Sequence, residues 1–257
     1  MWNSEDYKLI QRKYQNHYGT NLLKLACQYC INRNIDILDL GCGDGFLTKT
    51  FLTLRNNINT IDAVDIDQNM IKAANSELQC YNNIKLYQID MISFLKKSNK
   101  MYDLVFSNAV LHWLNSLTEF ETIFSLLTQR TYPESIIAVR FSLNDNAYDS
   151  KFFLQDAIRE YTNDNNFIIK KSVLKMDKCT DIFTKLNYKI LKKEKMEYIP
   201  FSSDEDNFNW LISAQPIESW IPKEDIPKFK KFIRKRWEHN HVRVRSSHAM
   251  YILKNQN

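Results

Sequence analysis

Apolar residues along this chain follow two periods, and the alternation between them predicts strands that alternate with helices. Between residues 35 and 141, short runs rich in Ile, Val, Leu and Phe are separated by stretches in which apolar residues recur every three or four positions. Strands are predicted at about 35–40, 59–65, 84–90, 102–107 and 135–141, and helices at about 46–54, 68–78 (with Asp67 as its cap) and 116–130. This pattern favours a doubly wound α/β fold with a mostly parallel sheet and helices on both faces.

The two ends of the chain add elements to this central pattern. Residues 5–31 have helical spacing, with an interruption predicted at 19–21, where a capping residue begins a second segment. After residue 141 we predict helices at about 148–162, 178–187, 203–213 and 222–237, a strand at 188–198 and a closing strand or hairpin at 242–253. The sheet then has seven strands, with helical insertions after the fifth strand and between the sixth and seventh. We expect one domain over 1–257, made of N-terminal helices (1–34), a core (35–141) and two insertions (142–187 and 199–240).

Composition limits the class of protein. Hydrophobic residues make up 44% and charged residues 25% of the 257 positions, as in ordinary soluble proteins. Apolar runs stay below the ~18 residues of a membrane helix, and the polar, acidic start is unlike a signal peptide, so we expect a cytoplasmic protein without a membrane segment. The five cysteines are scattered, which favours reduced thiols. Cys27 and Cys30 have zinc-like spacing, but no second pair accompanies them, and we expect core packing and no metal.

Glycine is rare in the chain, and three of its 4 glycines fall at positions 41, 43 and 45, directly after the first predicted strand. Glycine allows a positive φ and lets a ligand approach the backbone closely. The helix predicted to follow would direct its unpaired N–H groups at whatever lies in the turn. A plain strand-to-helix turn needs one glycine, so the cluster predicts a ligand-binding loop.

Polar residues end three further predicted strands. Asp65 ends the second strand, 20 residues after Gly45, where a carboxylate can accept both hydroxyls of a ribose. Asp90 ends the third strand, where it can accept from an exocyclic amine such as that of adenine. Asn108 and Ala109 follow the fourth. Because ligands bind at the carboxyl ends of the strands in such sheets, we expect these residues to line one nucleoside site.

With these residues the sequence resembles the class I S-adenosylmethionine-dependent methyltransferases, most specifically over about 35–141. The segments DLGCGDG at 39–45, AVDID at 63–67 and QIDM at 88–91 are similar to the first motif, the ribose acid and the adenine contact of that family. The resemblance implies a Rossmann-like methyltransferase fold and S-adenosylmethionine as the cofactor, with the glycine loop at its amino-acid end. The cofactor-binding residues that it implies are Gly41, Cys42, Gly43, Asp65, Ile66, Met70, Asp90, Met91 and Asn108.

Dinucleotide-dependent dehydrogenases are the main alternative, since they also place an acid after the second strand. Their Gly-x-Gly-x-x-Gly loop binds a pyrophosphate at a helix N-terminus. Here the third glycine comes after one residue rather than two, and Asp44 would repel a diphosphate. The Asp44 carboxylate suits a cationic cofactor without phosphate, which favours the methyltransferase interpretation.

The segment SNAVLHWL at 107–114 narrows the choice of methyl acceptor. DNA and RNA amino-methylases carry an Asn/Asp-Pro-Pro-Tyr type of loop here, so its absence argues against a nucleic acid partner. The segment is similar to that of small-molecule carboxyl methyltransferases, the branch of the trans-aconitate, malonyl-acyl-carrier-protein and juvenile hormone acid methyltransferases, although His112 stands where many members have glutamine. In that branch an N-terminal helix lies over the cofactor and supplies a glutamine, which implies Gln15 or Gln11. A Trp-Leu segment contributes to the substrate pocket, which implies Trp210 and Gln215, and the two insertions would shape that pocket.

The resemblance implies O-methylation of a carboxylate, on a free small acid or on an acyl group held by a carrier protein. A carboxylate has a pKa near ~4, so at neutral pH it needs no general base. On this interpretation Trp113 walls the pocket, while His112 and Gln15 donate hydrogen bonds to the carboxylate. Two alternatives stay open. His112 could be the base of an N-, C- or hydroxyl-directed methyltransferase, or the chain could be an inactive, cofactor-binding partner subunit.

The formal net charge of +5 is concentrated late in the chain, where eight Lys and Arg residues stand between positions 228 and 245. Such a segment can dock an acidic carrier protein or RNA, or it can be a solvated helix face. The oligomeric state has no signature in the sequence.

Overall fold

The structure, a computed structural model, describes residues 12–144, 148–169, 172–198, 203–213, 217–240, 242 and 246–257. Its strands are β1 (Ile35–Leu40), β2 (Ile58–Asp65), β3 (Ile84–Gln88), β4 (Tyr102–Asn108), β5 (Thr131–Ser142), β6 (Tyr188–Tyr198) and β7 (Ser246–Asn255). Its α-helices are α1 (Arg12–Tyr29), α2 (Phe46–Leu54), α3 (Gln68–Leu78), α4 (Met91–Lys97), α5 (Leu117–Thr128), α6 (Tyr148–Thr162), α7 (Met176–Lys185), α8 (Asp204–Ser213) and α9 (Ile226–Asn240).

Within the described residues, the strands form one seven-stranded sheet in the order β3-β2-β1-β4-β5-β7-β6. The pairs β2–β3, β1–β2, β1–β4 and β4–β5 are parallel, and β7 runs antiparallel to β5. The chain winds outward in both directions from the β1–β4 pair, and in sheets of this kind ligands bind at the carboxyl ends of the strands beside such a switch point. The predicted doubly wound, mostly parallel sheet is confirmed.

The chain divides into two compact units, of which the larger contains the sheet (15–143, 172–196 and 248–257). Apolar clusters cover both faces of this sheet, one with α1 and α2 and the other with α4, α5 and α7. Cys179 and Phe183 of α7 belong to the second of these clusters, so part of the predicted 142–187 insertion packs with the sheet.

In the second half of the chain, the smaller unit consists of the described residues within 144–171 and 197–247. Here α6, α8 and α9 enclose their own apolar cluster, centred on Phe208, Phe229, Ile233 and Trp237. The indole of Trp237 stacks edge-on against Phe208 and donates to Asp204. This unit therefore has a hydrophobic core independent of the sheet.

The predicted interruption of the first helix at 19–21 is wrong, because α1 continues through Gly19. A Cβ at Gly19 would lie 2.5 Å from a methyl of Leu47 and 3.2 Å from the side-chain nitrogen of Asn108. Glycine is present at this position because α1 packs closely against Leu47 and Asn108, and not because the helix ends here. The first part of the predicted helix, residues 5–11, lies outside the described residues.

Two aspartates begin helices after strands. The predicted cap of α3 is confirmed, since Asp67 Oδ1 accepts from the backbone N–H groups of Asn69 and Met70. Asp90 caps α4 in the same way, accepting from the N–H of Ser93 at 2.8 Å. Helix α4 was not predicted, because its seven residues span barely two turns and give a short periodic signal.

A buried hydrogen bond ties β1 to the helix after the glycine loop. The hydroxyl of Thr48 in α2 donates to Asp39 Oδ2 at 2.6 Å, and both side chains are buried. Burial raises the pKa of Asp39 to about 7, although the Thr48 hydrogen bond acts in the opposite direction, and nearby Asp65 raises it further. Asp39 therefore holds a proton in the folded chain at a pH where an exposed aspartate has lost it.

We predict that Asp39 makes the protein less stable as pH rises from about 4 to about 7. The folded pKa lies above the ordinary value of 3.8, so the folded state binds the extra proton in this window and its stabilisation is lost as the pH passes the folded pKa. Asp39→Asn keeps an acceptor for Thr48 and should remove this slope, making the variant more stable at pH 8 by up to about 4 kcal/mol. Urea unfolding of both proteins between pH 4 and pH 8 measures the difference.

Asp90→Asn is the matched control, because the Ser93 hydrogen bond lowers the pKa of Asp90 and its contribution to stability has the opposite dependence on pH. Parallel pH profiles for the wild type and Asp39→Asn would contradict the assignment.

Candidate active site

The glycine loop is hydrogen-bonded to the end of β2. The N–H groups of Gly41 and Cys42 both donate to the carbonyl of Val64, at 2.7 and 3.0 Å. Gly41 has φ +79°, and a Cβ there would overlap the side chain of Val110. Only glycine allows this turn and this contact together. The loop is thereby held against the segment that follows β4.

Gly43 differs from Gly41 in what surrounds it. Its φ is +56°, yet no heavy atom lies within 4 Å of the position that a Cβ would occupy. The space beside this residue is open, in the glycine loop that was predicted to bind a ligand after the first strand. The neighbouring thiol of Cys42 is buried, and burial raises its pKa well above the ordinary value, which keeps it protonated.

Asp65 connects the loop to the start of α3. Its Oδ2 accepts from the N–H of Gly43 and its Oδ1 from the N–H of Asp67, both at 2.9 Å. Burial raises the pKa of Asp65, while these two backbone hydrogen bonds lower it. Each carboxylate oxygen has a second lone pair, so the group can still accept hydroxyls from a ligand.

The residues predicted to hold an adenine differ in exposure. Ile66 is 70% exposed, which is unusual for an isoleucine next to a buried strand, whereas Met70 is 4% exposed and belongs to the core. Asp90 is exposed at the start of α4, and Met91 is half-buried beside it. The α4 cap uses one oxygen of Asp90, and the Ser93 hydrogen bond lowers the pKa of that carboxyl.

The end of β4 is fixed by hydrogen bonds to both neighbouring strands. Ser107 donates through its hydroxyl to the carbonyl of Leu40, and the N–H of Ala109 donates to the carbonyl of Arg140, both at 2.8 Å. Ala109 has φ +60°, a strained value for a residue with a side chain. Asn108 is buried, and its Oδ1 accepts from Arg140 Nη1 at 3.3 Å. The turn after β4 is therefore held in one shape.

His112 and Trp113 follow this turn in a short 3₁₀ helix, with ring centroids 5.2 Å apart. The backbone N–H of Ser142, at the end of β5, donates to Nδ1 of His112 over 3.4 Å. A neutral imidazole that accepts at Nδ1 carries its proton on Nε2. In this tautomer His112 presents a donor at Nε2.

Sequence reasoning did not include Arg140, the most voluminous fully buried side chain in the described structure. It lies near the carboxyl end of β5, with its guanidinium carbon 4.9 Å from the ring centroid of Tyr18. Burial lowers its pKa to about 9, and the nearby Tyr18 acts in the opposite direction. The available signal is an arginine inside the apolar run SIIAVRF at 135–141, where the pattern alone predicts a plain strand.

Four residues predicted for the site, Gln11 being the alternative to Gln15, are not placed at the strand ends. Gln15 lies in α1, but its side chain is outside the described residues, and so are Gln11 and Gln215. Trp210 lies in α8 of the smaller unit, half-buried against the apolar cluster of that unit. Its part in a substrate pocket stays a prediction.

The basic segment is partly neutralised within the smaller unit. Arg234 makes a bidentate ion pair with Glu205, at 2.5 and 2.7 Å, and its guanidinium covers the ring of Phe208 at 3.8 Å. Arg236 pairs with Glu160. Positions 243 and 245 are outside the described residues. Lys228, Lys231 and Lys235 are exposed.

Other kinds of site find no support in the part of the chain that is described. No group of three His, Cys, Asp or Glu side chains there is arranged to hold a metal ion. Within the same residues, no helix combines the length and the hydropathy needed to cross a membrane. The half-buried Cys30 donates its thiol to the carbonyl of Ala26, one helical turn earlier.

Comparison with known proteins gives matches for the sheet unit and for most of the chain. Residues 37–130 match the model of a methyltransferase domain. A malonyl-[acyl-carrier protein] O-methyltransferase of Halalkalibacterium halodurans is 39% identical over 85 residues, which are 32% of this chain but only 31% of that protein. One of Acetivibrio thermocellus is 29% identical over 202 residues, 76% of this chain and 68% of the relative.

Solved structures share the fold at low sequence identity. The N-methyltransferase NodS from Bradyrhizobium japonicum, in complex with S-adenosyl-L-homocysteine, has a TM-score of 0.56 at 13% identity, over 95% of this chain and 88% of its own. The [4+2]-cyclase SpnF has a TM-score of 0.61 at 13% identity, over 92% and 81%. Since a methyltransferase and a cyclase both share it, the fold alone does not fix the reaction.

The matched domain, the glycine loop with its open space and the sheet order all indicate the same fold. Residues 37–130 match a methyltransferase domain, and over most of its length the chain is similar to the malonyl-[acyl-carrier protein] O-methyltransferases.

Proposed function

We propose that this protein transfers the methyl group of S-adenosylmethionine to a carboxylate of a small acid, free or carried by an acyl carrier protein, and so forms a methyl ester. The observation that carries the proposal is the position of His112, whose Nδ1 accepts a backbone N–H and whose Nε2 is therefore a donor. A donor beside Trp113 can orient a carboxylate, which is already ionised, and no proton has to be removed from it. The names of the curated relatives support the same class of acceptor.

The residues of the glycine loop fit the cofactor. The open space beside Gly43 lies next to Asp65, which can accept from ribose hydroxyls, and the exposed Ile66 offers an apolar surface to a flat base. Asp44 is buried in the loop. A carboxylate at this position favours a cationic ligand and disfavours a phosphate.

S-adenosylmethionine supplies an electrophilic methyl group on a cationic sulfur. The protein then contributes by holding the acceptor in line and by excluding water, which are the main effects available where no proton moves. We assign the wall of the acceptor site to Trp113 and the orienting hydrogen bonds to His112 and Gln15. The strained Ala109 keeps this segment in place, because the N–H of that residue is bonded to β5.

Use of His112 as a general base would require a different tautomer. A base needs a free lone pair on Nε2, and the proton would then have to sit on Nδ1, where the Ser142 N–H now donates. The hydrogen bond thus favours the carboxylate acceptor over a hydroxyl or amine acceptor that must be deprotonated.

A carrier-bound acyl group remains within the proposal. The exposed Lys228, Lys231 and Lys235 of the smaller unit present positive charge that suits an acidic carrier protein. The ion pairs of Arg234 and Arg236 reduce the charge that this surface offers, so we expect any such docking to be weak and salt-dependent.

We predict that Gly43→Ala and Gly41→Ala separate ligand binding from folding. An added methyl at Gly43 meets no protein atom. The free energy of unfolding should therefore fall only by the strain of a left-handed backbone at a residue with a side chain, about 1–2 kcal/mol. The same methyl would fill the cofactor space, and affinity for S-adenosylhomocysteine should fall roughly 10- to 100-fold. Gly41→Ala should lose more stability, about 2–5 kcal/mol, because Val110 must also move.

Calorimetric titration and urea unfolding of both variants provide the two measurements. Wild-type affinity in Gly43→Ala would show that the open space is not part of the cofactor site.

We predict that Asp65→Ala weakens S-adenosylhomocysteine binding by about 2–3 kcal/mol, because two hydrogen bonds from the ribose to a charged acceptor are lost. Asp67→Ala is the matched control: it removes a helix cap from the adjacent position and should lower stability while leaving affinity nearly unchanged. Isothermal titration calorimetry distinguishes the two. Equal losses of affinity in both variants would mean that loop geometry alone, and not ribose binding, explains the effect.

We predict that a panel of free acids and acids loaded on acyl carrier protein, incubated with labelled S-adenosylmethionine, yields a product that releases its label in base. Methyl esters are base-labile, whereas N- and C-methyl products are not. With such a substrate, the rate should show no inflection from a protein base near pH 6–7, the range where a histidine titrates. A base-stable product would reject the carboxylate acceptor. If high salt lowers turnover of the carrier-bound acids but not of the free acids, docking of the carrier protein is identified.

A further inference from the structure

Ser142, the last residue of β5, forms a hydrogen bond through each of its three polar groups. Its backbone N–H donates to His112 Nδ1, and its hydroxyl shares a hydrogen bond with His248 Nδ1, both over 3.4 Å. Its carbonyl accepts from the hydroxyl of Ser172 at 3.1 Å. All four residues belong to the larger unit, which contains the sheet, or directly follow β4 within it. One serine therefore joins the segment after β4 to strand β7 and to the segment before α7.

His248 is placed opposite Ser142 by the register of the sheet. In the antiparallel pair of β5 and β7, Ser142 lies across from His248, so the two side chains share one face of the sheet. Only 5% of His248 is exposed. A buried imidazole needs hydrogen bonds for its polar atoms, a requirement that an apolar side chain at this position would not have. What the imidazole provides in return is a polar contact that fixes the hydroxyl of Ser142.

The carbonyl of Ser142 is held by a second buried residue. Ser172, which is 5% exposed, donates to that carbonyl and accepts from the N–H of Leu174, both at 3.1 Å. Leu174 is fully buried in the apolar cluster that also contains Phe183. Core packing therefore sets the position of Ser172, and Ser142 is held at both its hydroxyl and its carbonyl.

The hydrogen bond from Ser142 to His112 is long, and its formation depends on where the serine lies. Backbone N–H donors are most often about 2.9–3.0 Å from an oxygen acceptor, so at 3.4 Å a small displacement of the serine breaks the bond. The other tautomer of His112 carries its proton on Nδ1 and would set two N–H groups against each other. The position of Ser142 thus determines which nitrogen of His112 holds the proton.

We infer that Ser142 and His248 are positioning residues for His112. The hydrogen bond between their side chains holds the serine N–H at Nδ1 of His112, and so keeps Nε2 a donor for the methyl acceptor. His248 acts only through Ser142. The use of the Nε2 donor rests on the proposed function, but the tautomer of His112 can be measured without any acceptor.

Nitrogen-15 NMR of the histidine side chains reads this tautomer in the full chain, at pH 8, where an ordinary imidazole is neutral. The signals of His112 are assigned by their loss in H112Q. In the wild type, Nδ1 of His112 should give the signal of an unprotonated nitrogen and Nε2 that of a protonated one. S142A and H248F remove the hydrogen bond and should raise the population of the other tautomer about 3- to 10-fold, the usual effect of one hydrogen bond. The two signals should then move closer together.

Two conservative variants separate this role from packing. S142T keeps the hydroxyl, and H248N places an amide near the position of Nδ1, so both should retain the wild-type tautomer. H248F keeps the volume of the ring and loses the hydrogen bond. A wild-type tautomer in H248F together with an altered one in H248N would show that packing matters, and would overturn the inference. Thermal unfolding identifies variants that do not fold, and S142A and H248F each provide the test if the other fails to fold.

Turnover of an acid identified with the labelled panel gives a second measurement. S142A and H248F should lower kcat/KM for that acid about 3- to 10-fold, whereas affinity for S-adenosylhomocysteine should change by less than about threefold. Equal losses in both quantities would mean that the whole strand end is distorted, and would overturn the inference. An unprotonated Nε2 in the wild type would overturn it as well. A base-stable product would reject the carboxylate acceptor instead, while the tautomer measurement still decides the role of Ser142 and His248.

Discussion

The carboxylate of Asp65 is the interaction on which the candidate site depends. It accepts one backbone N–H from the glycine loop and another from the start of α3, at equal distances of 2.9 Å. A single side chain at the end of β2 thus fixes the two segments that would lie on either side of a nucleoside. Its burial is compensated by these donors, which is why a charged group is tolerated so close to the core.

Much of the fold could be predicted from the order of apolar and polar residues. Strands such as 35–40 and 188–198 coincide with their predicted bounds, and Asp67 caps α3 as its position before an amphipathic segment indicated. These features depend on residues close together in the sequence. Gly19 shows where such reasoning fails, because its role is set by Leu47 and Asn108, which are distant in the sequence and close only in the fold.

In the candidate site, too, the residues with local sequence signatures could be predicted and those placed by distant contacts could not. The glycines and Asp65 could be found from spacing alone, since a turn and an acid at a strand end have local signatures. The burial of Arg140 could not be predicted, because it depends on which residues of α1 and β4 surround the side chain. The acceptor side is less determined still: Gln15 and Gln215 have no described side chains, and Trp210 belongs to the core of the smaller unit.

The contact between Gly41 and Val110 joins the two halves of the candidate site. The glycine loop and the turn that leads to His112 and Trp113 share one packed boundary, with no room for a single methyl group between them. In the proposed reaction, a ligand that restrains one segment would therefore restrain the other. Such coupling is reciprocal by thermodynamic necessity, so cofactor and acceptor would each strengthen the binding of the other.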